Sequence, residues 1–75
     1  MAIENANFKK LVDAITPFVS IGVGSAICKV CMAKKIDPEK IETKDIPMLK
    51  KELIEHYRKF WQNQLANIEQ ALTKL

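Results

Sequence analysis

The longest stretch without a formal charge is Ala14-Ile15-Thr16-Pro17-Phe18-Val19-Ser20-Ile21-Gly22-Val23-Gly24-Ser25-Ala26-Ile27-Cys28, set between Asp13 and Lys29. A helix that spans a bilayer needs about 20 apolar residues in succession. This run is shorter, and Pro17, Gly22 and Gly24 interrupt it, so no membrane segment is expected. It reads instead as a buried corner, with one helix ending at Gly22 and another beginning near Val23. Gly22 suits the left-handed backbone that follows a helix terminus, and a positive φ is expected there. Everything downstream must then cover the corner.

With 75 residues and 48% hydrophobic content, the chain is expected to be one small helical domain over 1–75. That size is near the lower limit at which one core holds a chain folded. The net charge of +3 favours solubility and gives only a modest pull toward phosphate. Two cysteines cannot build a multi-disulfide scaffold. The first residues, Met1-Ala2-Ile3-Glu4-Asn5-Ala6-Asn7, contain no basic region followed by an apolar core. A secretory signal is therefore not expected, and the chain reads as cytoplasmic.

Periodicity predicts an all-α fold, a small bundle of three to four helices. Phe8, Leu11, Val12, Ile15, Phe18 and Val19 recur at spacings of three and four, the face of one helix. Asn5 or Asn7 is placed to cap it. Pro17 should kink this helix or end it near Ala14, because proline removes an N–H and crowds the carbonyl four residues back. The second helix, from about Val23 to Lys35, is apolar around most of its circumference and is expected to be central. In the connector, Asp37-Pro38 and Asp45-Ile46-Pro47 are start signals.

After Pro47 there is no further glycine or proline. Leu49, Leu53, Tyr57 and Phe60 form one stripe; Trp61, Leu65, Ile68, Leu72 and Leu75 form a second, rotated by roughly a quarter turn. A single C-terminal helix of this length would reach about 40 Å at 1.5 Å per residue, roughly twice the earlier helices. It either overhangs or bends near Asn63 and folds back. The absence of a turn residue in Gln62-Asn63-Gln64 favours the long helix, with Trp61, Leu65, Ile68, Leu72 and Leu75 meeting a second copy of the chain.

Few patterns point to chemistry. Cys28 and Cys31 share a helix face and are candidate metal ligands or redox thiols, but zinc needs four ligands and only His56 is left to join them. Two reduced core cysteines are the simpler reading. Gly22-Val23-Gly24-Ser25 opens a helix but has neither the third glycine of a dinucleotide fingerprint nor the lysine of a phosphate loop. Paired carboxylates and a nucleophile–base set are not found, so no enzymatic activity and no cofactor are expected.

The expected function is therefore a non-enzymatic helical interaction module, regulatory or scaffolding, forming a homodimer or meeting a protein partner. The alternative is a small nucleic-acid-binding regulator using Lys34, Lys35, Lys50, Lys51, Arg58 and Lys59. Glu55 among those cations makes a solvated face the plainer reading. A thiol or metal sensor at Cys28 and Cys31 is a third reading.

Overall fold

The computed structural model describes residues 3–19 and 21–75. It contains four helices: α1 (Ala6–Ile15), α2 (Val23–Ala33), α3 (Ile46–Phe60) and α4 (Leu65–Thr73). Single 3-10 turns occupy Pro38–Lys40, Thr43–Asp45 and Gln62–Gln64. No strand occurs among the described residues. No helix there is long and apolar enough to cross a membrane.

The start of α1 is fixed by its two asparagines, which divide the work. The Asn5 side-chain oxygen accepts from the Phe8 N–H at 2.9 Å, which satisfies an otherwise unpaired first-turn donor. Its amide nitrogen reaches across the chain to the Glu39 and Ile41 carbonyls, and Asn7 donates to the same Ile41 carbonyl at 2.9 Å. The helix start is thereby tied to the connector before α3. α1 ends at Ile15, two residues before Pro17, where proline's demand on the carbonyl four residues back stops propagation.

The corner is wider than the sequence suggests. The first helix does not run to Gly22; a turn through Thr16 and Phe18 separates Ile15 from α2, and Ser20 lies outside the described residues. Gly22 is left-handed, with φ 74°, but as the N-cap of α2 rather than the cap of α1. At the other end α2 stops at Ala33 instead of Lys35, because Lys35 itself turns left-handed at φ 59°. The Ile36 N–H donates to the Cys31 carbonyl at 2.8 Å and the Lys35 N–H to the Met32 carbonyl at 3.0 Å. This is the paired-bond terminus usually built on glycine.

The four helices form a ring. α1 packs on α2 and α4, and α3 packs on α2 and α4. α2 is thus one wall of four rather than an axis. It buries Val23, Ala26, Ile27, Val30 and Cys31 but exposes Ser25, Lys29 and Met32, the last to 71%. Leu11, Ile15, Ile27, Leu49, Leu53, Ile68 and Leu72 are fully enclosed, and Ile41 and Ile46 plug the connector side.

The C-terminal segment is two helices, not one long one. α3 breaks at Trp61, whose backbone opens to φ −152° and ψ 56°, and the 3-10 turn Gln62–Gln64 reverses the chain. The Trp61 N–H still closes the last turn of α3 on the Tyr57 carbonyl at 2.7 Å.

Candidate functional site

The stripe expected to meet a second copy is split. Ile68 and Leu72 have no exposed surface and belong to the chain's own core, with Leu65 half-buried against it. Trp61 and Leu75 remain exposed, at 44% and 46%. Of the five, only these two stand clear of the core as the expectation required.

Phe60 is the unexpected residue. It closes the stripe Leu49, Leu53, Tyr57, yet it is 68% exposed while the other three are buried. It is the last residue of α3, and the chain turns away after it, so most of its ring stays uncovered. Its position at the end of an apolar stripe, separated by Trp61 alone from the polar run Gln62-Asn63-Gln64, is the one signal the sequence offers. Phe60 and Trp61 therefore form an exposed aromatic corner with Lys59, Gln62 and Asn63 around it.

Phe60 also closes one end of a groove of about 210 Å³ between α2 and α3, whose walls include Val30, Ala33 and His56. Lys34 and Glu52 pair across this groove at 2.7 Å. His56 stands edge-on to Tyr57, with ring centroids 5.1 Å apart, and tilted against Phe60 at 4.9 Å. Burial, followed by the cations Lys29 and Lys59, lowers the His56 pKa below its ordinary 6.5, so the ring is neutral at pH 7. Tyr57 is buried, which raises its pKa, and its hydroxyl has no partner among the described residues.

The thiols lie elsewhere. Cys31 is in the core, and burial, then the neighbouring Cys28, pushes it up to about 11. Cys28 is half-buried in the cleft between α1 and α2, beside Phe8 and Val12. His56 lines a different groove from Cys28. Among the described residues, no three of His, Cys, Asp and Glu gather as metal ligands. Gly24 packs under the Phe8 ring, where a Cβ would meet Cζ at 3.7 Å, an ordinary van der Waals contact, so packing there does not demand glycine.

The basic residues do not form one track. Lys34 pairs with Glu52, and Arg58 with Glu55 at 2.9 Å. Lys59 lines the α2–α3 groove, whereas Lys50, Lys51 and Arg58 line the groove between α3 and α4. Lys35 occupies the left-handed terminus of α2. Comparison with protein-family models, curated proteins and solved structures found no match.

Proposed function

We propose that this chain is a non-enzymatic helical interaction module, regulatory or scaffolding, which self-associates through the Phe60–Trp61 corner. The observation that carries the reading is the exposure of two adjacent large aromatic rings, Phe60 at 68% and Trp61 at 44%. Aromatic side chains bring the most apolar area per residue to a contact and are enriched at binding hot spots. The neighbouring neutral His56 and the apolar walls Val30 and Ala33 extend the surface into the α2–α3 groove.

The nucleic-acid reading has less support. Glu52 and Glu55 pair with two of the six cations; of the remainder, Lys50 and Lys51 line one groove, Lys59 another, and Lys35 neither.

Trp61 is the lone tryptophan, which makes its fluorescence a direct reporter of the corner. Across a dilution series, the parent's emission should shift to the blue as concentration rises, as indole leaves water. Phe60→Ser should abolish the shift. An emission maximum independent of concentration would count against self-association through this corner.

A further inference from the structure

The aromatic corner leaves a second surface unexplained. Between α3 and α4 runs a groove of about 370 Å³ walled by Pro47, Lys50, Lys51, Ile54, Arg58, Leu72 and Thr73, with one carboxylate, Glu55, that is taken up by Arg58 at 2.9 Å. Its floor is apolar: Leu72 is fully buried and Ile54 half-buried, and Pro47 is exposed at its edge. Three cations stand on its walls. Only Arg58 is paired, with Glu55; Lys50 and Lys51 form no ion pair among the described residues.

We propose that this groove docks an acidic amphipathic segment of another protein. The segment's apolar side would lie on Pro47 and Ile54 and its carboxylates on Lys50 and Lys51. The inference rests on the interaction-module reading but not on self-association. An amphipathic helix laid in a groove needs an apolar floor and complementary charge on the rim, and both are present here. A phosphate backbone needs a continuous row of cations, whereas Glu55 stands beside Arg58 and Lys59 faces the other groove. The charge pattern therefore favours an acidic peptide over nucleic acid.

The test is fluorescence anisotropy with the intact chain and a labelled helical peptide bearing leucine on one face and glutamate on the other. The comparison probes are the same peptide with lysine for glutamate, and a random duplex oligonucleotide. The acidic peptide should bind, the basic one should not, and binding should weaken as salt rises. Lys50→Glu with Lys51→Glu, at one half-buried and one exposed position, should weaken acidic-peptide binding by about tenfold or more while leaving helicity unchanged.

Equal binding of both peptides would overturn the inference, as would displacement of the acidic peptide by the oligonucleotide or no binding of the acidic peptide. Binding unaffected by the lysine reversals but lost in Phe60→Ser would move the partner to the aromatic corner. That result would sink the groove proposal while leaving the module reading intact.

Discussion

Two residues of the described chain have a left-handed backbone, and they differ in kind. Gly22 has φ 74° with no atom within 4 Å of where a Cβ would stand, so a side chain there costs backbone strain and no clash. Gly22→Val should lower stability by roughly 1–3 kcal/mol. Lys35, at φ 59°, carries the strain that glycine would avoid. Lys35→Gly should raise stability by ~0.5–1 kcal/mol, read as a higher midpoint in urea with an unchanged slope. An unaltered midpoint in both variants would contradict the assigned backbone. His56 adds a pH dependence. Its folded pKa lies below the unfolded 6.5, so the unfolded chain takes up the proton first as pH falls. The stability from the neutral ring is complete above about pH 6.5 and is lost as pH drops through the lower folded value. Urea midpoints measured downward from pH 7 should fall in the parent and fall less steeply in His56→Gln.

Elements were legible wherever periodicity and caps agreed. The α1 face as far as Ile15, the Asn5 cap, the interruption at Pro17, the start of α2 at Val23 and the turn opened by Asp37-Pro38 follow from local chemistry that tertiary packing reinforces, whereas the continuation of the first helix through Phe18 to Gly22 does not occur. The α3–α4 break near Asn63 was legible only as the less favoured of two alternatives, because it uses neither glycine nor proline. Trp61 leaves helical geometry at φ −152° and ψ 56°, and a polar 3-10 turn completes the reversal. What drives it is distant: Ile68 and Leu72 gain complete burial against α1 and α3, worth about 1.5–3 kcal/mol per large apolar side chain. A single-helix reading cannot weigh that gain. The quarter-turn rotation between the two stripes was the local trace of it, as each stripe belongs to a different helix. The Schellman-type end at Lys35 was equally hidden, since lysine is not a usual left-handed residue. Ile68→Ala should therefore cost about 2–5 kcal/mol, by the same amount at every protein concentration. A loss that shrinks as concentration rises would place Ile68 in an interface between copies.

At the scale of the whole molecule, four short helices close a ring around one apolar core, and a connector held by Asn5 and Asn7 closes its side. Packing consumes most of the apolar side chains that the sequence marks, including two of the five expected at an interface. Among the large apolar side chains it leaves outside, Trp61 and Leu75 were expected at an interface, whereas the exposure of Phe60 is seen only in the structure. Exposure at a helix end depends on where the chain goes next, not on the spacing before it. The candidate site follows from that geometry: an aromatic corner opening into one groove, and a basic groove on the opposite flank of α3. The central claim is that the corner joins copies of the chain while α4 serves the core. Sedimentation equilibrium of the parent beside Phe60→Ser, with helicity checked by circular dichroism, tests it most directly. The account predicts a two-chain mass for the parent, and a one-chain mass with undiminished helicity for the variant. A one-chain mass for the parent at every concentration, or a two-chain mass for the variant, would contradict it.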